Sequence, residues 1–106
     1  MEEENWFNKR RREDWDDLPF VVRETIIEQL SQNFKLEFCE DIQKEINTDQ
    51  DWWKDYEESW GVELRAFLRN LYKDNELPKN DWEYYWVSAI EKSVERVIEK
   101  NAKENV

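Results

Sequence analysis

Histidine is missing from this chain altogether, glycine and cysteine occur once each, and proline occurs twice in 106 residues. Each scarcity closes off a class of protein. Without histidine the commonest general base near neutral pH is gone. A single glycine cannot build a glycine-rich phosphate cradle. With so few tight-turn residues, a fold of many β-hairpins is excluded as well. The lone Cys39 forms no internal disulfide, which fits a reduced setting. It stands between Phe38 and Ile42 in an apolar phase, and no histidine can activate it, so it reads as a buried structural thiol and not a nucleophile. Paired carboxylates are uninformative as an acid/base site where the chain holds 27 acids. The expectation is a protein that is not an enzyme and holds no cofactor. No apolar run approaches the roughly 18 residues of a membrane span. The opening Met-Glu-Glu-Glu-Asn lacks the apolar core of a signal peptide. The location expected from these features is cytoplasmic, in a bacterial host cell.

What the chain does have is charge and aromatic surface. Charged residues make up 41% and aromatics 15%, with seven tryptophans and a net charge of −11. So much charge calls for helices with solvated faces. The aromatic rings supply core area to a small chain, since each removes on the order of 150–250 Å² from water when buried. They also argue against disorder, which acidic chains of low hydropathy otherwise invite. The negative field repels nucleic acid and anionic lipid and attracts basic protein surfaces.

Periodicity predicts an all-α fold, a compact bundle of four to five helices around an aromatic-rich core. Residues 1–17 form either a short helix docked by Trp6 and Phe7 or a fraying charged arm; residues 18–106 form a single helical domain. Leu18, Val22, Ile26 and Leu30 recur every four residues and predict a helix over 18–31, with Asp16 or Asp17 ahead of Pro19 at its start. Phe34, Phe38, Ile42 and Ile46 predict a second helix over 34–47, separate from the first or continuous with it through a bend. Thr48 and Asp51 have capping spacing ahead of a short helix over 50–58. The Ser59-Trp60-Gly61 step, holding the only glycine, marks the next break. A helix from Trp60 to about Tyr72 follows, then a loop "KDNELPK", then a final helix from about 81 to 100, with Asn80 and Glu83 at capping-box spacing and Trp82, Trp86, Ile90, Val94 and Val97 along its stripe.

Function concentrates in the middle of the chain. From Glu37 to Glu58 there are nine acids against Lys44 and Lys54, a net of −7. Solubility alone rarely demands that much charge of one sign. Within this run Asn47, Asp49, Asp51, Trp53 (by its carbonyl), Asp55 and Glu58 fall at positions 1, 3, 5, 7, 9 and 12 of a calcium loop over 47–58. Trp52, where the sharp turn needs glycine, and Lys54 at the eighth position break that pattern, so no metal ligand is assigned. The bland reading is a helix start whose acids suit the dipole. Trp52, Tyr56 and Trp60 lie four apart on one helical face. Trp52 and Trp53 are adjacent, so at least one is expected to be exposed, as in a binding hot spot. The residues expected to contact a partner are Asp49, Asp51, Trp52, Trp53, Asp55, Glu57 and Glu58. The basic run Lys9–Arg12 is outnumbered by flanking acids, which favours salt bridges over nucleic-acid binding.

These residues together point to a non-enzymatic inhibitor of a basic, nucleic-acid-handling protein, acting as a nucleic-acid mimic of phage anti-defence type (anti-CRISPR or anti-restriction). Alternatives are an immunity protein neutralising a cationic nuclease toxin, and a calcium-responsive module. No direct nucleic-acid or membrane partner is expected, and the aromatic surface leaves room for a homodimer. The stretch "WGVELRAFLRNLYKDNEL" followed by "DWEYYWVSAIEKSV" resembles the core of a small helical bacterial domain family of unknown function. The matching residues are Gly61, Arg69, Asn70 and Leu77, and Pro78-Lys79-Asn80-Asp81 departs from the family's Pro-Asp-Asp helix start. The resemblance covers the C-terminal half and implies no activity; Arg69 and Asn70 would cap or brace a loop.

Overall fold

A computed structural model describes residues 6–71 and 82–104, with the side chains of 71 and 82–84 outside that description. The described chain is all helix: α1 Trp6–Asp16, α2 Phe20–Asn33, α3 Leu36–Thr48, a 3₁₀ turn Trp52–Tyr56, α4 Trp60–Leu71 and α5 Trp82–Glu104. No strand occurs among the described residues, and no helix there is long and apolar enough to cross a membrane. The predicted loop 73–79 and the Asn80 cap lie outside the described residues, as do residues 1–5.

Helix α5 is the axis of the bundle. Its 23 residues span about 34 Å, and α1, α2, α3 and α4 all pack against it. Residues 85–90 are buried without a break, as expected of a helix surrounded on every side. Ser88 and Ser93 are therefore core residues, small enough to let neighbouring helices approach. The apolar stripe read from the sequence is the one observed: Trp86, Ala89, Ile90 and Val94 are buried, and Val97 and Ile98 pack at its edge. Opposite them lie Ile26, Ile27 and Leu30 of α2, Cys39 and Ile42 of α3, and Leu68 of α4.

Several element boundaries differ from the sequence expectation for physical reasons. Helix α2 starts at Phe20, with Pro19 itself at the cap in an extended backbone and no side-chain cap from either aspartate. Asp16 instead closes α1, and Leu18 plugs the turn with 2% exposure. Helices α2 and α3 are separate, because Phe34 and Lys35 both take extended backbone. Thr48 does not cap the next turn; its hydroxyl donates back to the Lys44 carbonyl at 2.7 Å. The Asp49 carboxylate accepts from the Asp51 amide at 2.8 Å and shapes that turn instead.

Helix α1 is a helix, but its docking residues differ from the expected pair. Phe7 does dock, with its ring 5.1 Å from that of Trp53. Trp6 is 72% exposed, and its ring lies under the Arg10 guanidinium at 5.7 Å. The face that docks carries Asn8, Arg11 and Trp15, spaced i, i+3 and i+7.

Gly61 does not break a helix. It is the second residue of α4, with no positive φ. Its role is steric: a Cβ there would lie 2.9 Å from Trp86 Cζ2 and 3.1 Å from Cε2. The Trp86 ring is fully buried and cannot swing away. Gly61→Ala is expected to lower stability by about 1–2 kcal/mol, overpacking outweighing the helix-propensity gain of about 1 kcal/mol. A denaturant midpoint measures it; an unchanged or raised midpoint would show that the ring yields.

Candidate functional site: an acidic face on an anchored aromatic scaffold

Helix α3 divides cleanly. Cys39 and Ile42 are buried, with Phe38 and Ile46 packed beside them, while Glu37, Glu40, Asp41 and Glu45 are exposed on the opposite side. The acids continue beyond the helix: Asp49, Asp55 and Glu58 are exposed, and Asp51 and Glu57 are half-buried. Among the described residues, Glu37, Glu40, Asp41, Asp55, Glu57 and Glu58 take part in no ion pair, and only Asp51 of the run meets a base of this chain, Lys54 at 3.4 Å.

The three arginines of the run Lys9–Arg12 form salt bridges away from α3, as expected, whereas Lys9 is exposed and takes part in no ion pair among the described residues. Arg11 makes a two-pronged pair with Glu91 on α5, at 2.8 Å and 3.2 Å. Arg12 approaches the same carboxylate at 3.8 Å, and Arg10 pairs with Asp14 in its own helix. On α2 and α5, Glu24 pairs with Arg96, which holds the Glu24 carboxyl below its ordinary range and raises Arg96. None of these contacts neutralises the α3 face.

The adjacent tryptophans correct the expectation that one of them projects. Trp52 is 4% and Trp53 5% exposed, so neither indole is available as a surface hot spot. They are buried because each ring nitrogen finds an acceptor inside the bundle. Trp53 Nε1 donates to Asn8 Oδ1 at 3.1 Å, and Trp52 Nε1 donates to Glu91 Oε2 at 3.2 Å. Asn8 is the hub: its Oδ1 also accepts from Arg11 Nε at 2.9 Å, and its Nδ2 donates to Asp51 Oδ1 at 2.9 Å. Arg11 further donates to Ser88 Oγ at 3.2 Å. The "DWW" stretch is thus fastened to α1 and α5 by a polar network within the core. Of the seven expected contact residues, the structure gathers Asp49, Asp55, Glu57 and Glu58 near the surface and turns Trp52, Trp53 and one oxygen of Asp51 inward.

The expected four-residue spacing survives as a ladder of rings. Trp52 lies 6.1 Å from Tyr56, Tyr56 stacks on Trp60 at 4.3 Å, Trp60 meets the edge of Phe38 at 5.0 Å, and Phe38 meets Phe34 at 5.1 Å. The Tyr56 hydroxyl donates to the Glu45 carboxylate, 2.8 Å and 2.7 Å from its two oxygens. This ties the 3₁₀ turn to α3, so the acids of both segments occupy neighbouring surface. The same hydrogen bond, aided by desolvation, pushes the Tyr56 phenol up to about 12. A phenol raised above its ordinary value of about 10 keeps its proton longer folded than unfolded. Its stabilisation is complete below pH about 10 and is lost as pH rises through about 12. In an ultraviolet titration a phenol step near pH 12 is expected; Tyr56→Phe should remove that step and Glu45→Gln should move it to lower pH.

The calcium-loop spacing does not become a loop. Asn47 lies in the last turn of α3, where it accepts from Gln43 at 3.0 Å, and positions six to ten form the 3₁₀ turn. Among the described residues no three carboxylates converge on a point able to hold a metal ion.

No protein-family model matches this chain, and no curated protein or solved structure is significantly similar to it. The resemblance in the C-terminal half therefore rests on its residues alone. Arg69 and Asn70 are exposed near the end of α4, and Leu77 lies outside the described residues.

Proposed function

We propose that this chain is a non-enzymatic binding protein whose acidic α3 face engages the cationic surface of a nucleic-acid-handling protein, in the manner of an anti-CRISPR or anti-restriction inhibitor. One observation carries the reading: eight of the nine carboxylates between Glu37 and Glu58 stand without an internal counter-ion among the described residues, while Arg11 and Arg12 of the basic run turn to Glu91 on α5. A protein that needed only solubility would intersperse charges of both signs. Uncompensated charge of one sign steers a partner of the other sign and fixes its register. The Tyr56–Glu45 bond and the buried tryptophans hold the face on a rigid support, which lowers the ordering cost of binding.

The test is affinity capture from a bacterial lysate with the wild-type chain and with a Glu37→Lys, Asp41→Lys, Asp55→Lys variant, each checked for unchanged melting. All three residues are exposed, so folding is preserved. A basic nucleic-acid-binding protein retained by the wild type and weakened about tenfold or more by the variant supports the reading. Capture that ignores the three reversals overturns it.

A further inference from the structure

The aromatic ladder ends in an open groove of about 370 Å³ between the α2–α3 junction and α4. Its walls are Phe34, Phe38, Trp60, Leu64 and Ile90, and Glu63 stands at its rim in the first turn of α4. The three aromatic rings are half-buried, so they present surface without leaving the core. Glu63 is exposed and takes part in no ion pair among the described residues. Glu37 flanks Phe38 on α3, and Asp41 follows one turn on, both unpaired there too.

An apolar plug alone would suit the walls but leave the Glu63 carboxylate at the rim without a partner. A side chain with a long apolar stem and a flat cationic head suits both. Resting on the proposal above that the acidic face meets a basic partner, we infer that this groove takes an arginine side chain of that partner. The stem lies along Leu64, the guanidinium plane lies against the aromatic wall, and Glu63 accepts from its fork. Lysine fits less well: its ammonium is a compact, strongly hydrated point charge and offers no plane to stack. Lys35 also lines the groove and is exposed, so its long flexible stem can swing clear of an incoming guanidinium.

Octa-arginine and octa-lysine peptides carry the same side-chain charge and separate the groove from the general field. Titrations at low salt compare both peptides on the wild type, on Glu63→Gln, and on Asn33→Trp, which fills the groove mouth from an exposed position. The wild type is expected to bind octa-arginine about tenfold more tightly than octa-lysine. Both variants should bring the ratio close to one while changing octa-lysine binding less than about twofold. Equal binding of the two peptides by the wild type overturns the groove assignment and leaves the acidic face standing. A preference that persists in both variants also overturns it, since selectivity then lies elsewhere. Binding of neither peptide removes the acidic-face reading and this inference with it.

Discussion

Arg11→Ala is expected to destabilise the protein by about 3–5 kcal/mol, a large part of the 5–15 kcal/mol that holds a domain this size folded. The side chain of Arg11 is 1% exposed and that of Glu91 14%. Removing the guanidinium strands the carboxylate in the core and takes acceptors from Asn8 and Ser88 out of use. Arg12 and the Trp52 indole remain beside Glu91 and soften the loss. Glu91→Ala leaves the more deeply buried partner uncompensated, so its cost is expected to exceed that of Arg11→Ala. The paired change Arg11→Met with Glu91→Leu should cost clearly less than the two single losses added, because neither charge is then left alone. Thermal unfolding reads the effect as a fall on the order of 12–20 °C. A loss below about 1 kcal/mol for either single change would mean that the pair behaves like an exposed one.

That pair also marks where sequence reasoning stopped. The helices announced themselves through four-residue spacing of Val22, Ile26, Leu30, Phe38, Ile42, Trp86, Ile90 and Val94, because burial on one side imposes that period on apolar residues. The α1 face carries Asn8, Arg11 and Trp15 in place of an apolar stripe, and polar residues give no hydrophobic period. The same blindness leads to the expectation that at least one of Trp52 and Trp53 is exposed. Two adjacent rings rarely share one buried side of a helix, but the 3₁₀ turn and the acceptors on Asn8 and Glu91 accommodate both. One usable sign was present: Glu91 follows Ile90 and precedes Val94 at the edge of the clearest apolar stripe in the chain, where an acid calls for a buried base. The acids of α3 were legible as a run, whereas their freedom from internal partners depended on where Arg11 and Arg12 go.

Asn8→Ala should be the next most damaging single change, at about 2–4 kcal/mol. The side chain is fully buried and serves four partners at once, Arg11, Trp53, Asp51 and Gln50. Its loss leaves Trp53 Nε1 and Arg11 Nε without their acceptor and takes a donor from Asp51. Each buried group left unsatisfied costs about 1–3 kcal/mol, and partial rearrangement around the smaller residue keeps the sum below the maximum. Asn8→Asp keeps the acceptor for Arg11 and Trp53 but sets a second carboxylate against Asp51, 2.9 Å from the present Asn8 nitrogen. Two carboxylates that close resist joint ionisation. This variant should therefore also be destabilised at neutral pH, and acidification that protonates one of the two should recover part of the loss. Denaturant midpoints at two pH values measure both effects. An Asn8→Ala protein as stable as the wild type would mean that Trp53 and Arg11 find other partners without cost.

The dissociation constant of the captured partner at about 50 mM and about 500 mM salt addresses the acidic face most directly. Screening lengths of about 14 Å and about 4 Å separate the two conditions, so attraction between exposed charges survives the first and is largely lost in the second. Weakening by at least about tenfold is expected, and less weakening for the α3 reversal variant. An affinity that stays constant across that range would contradict it.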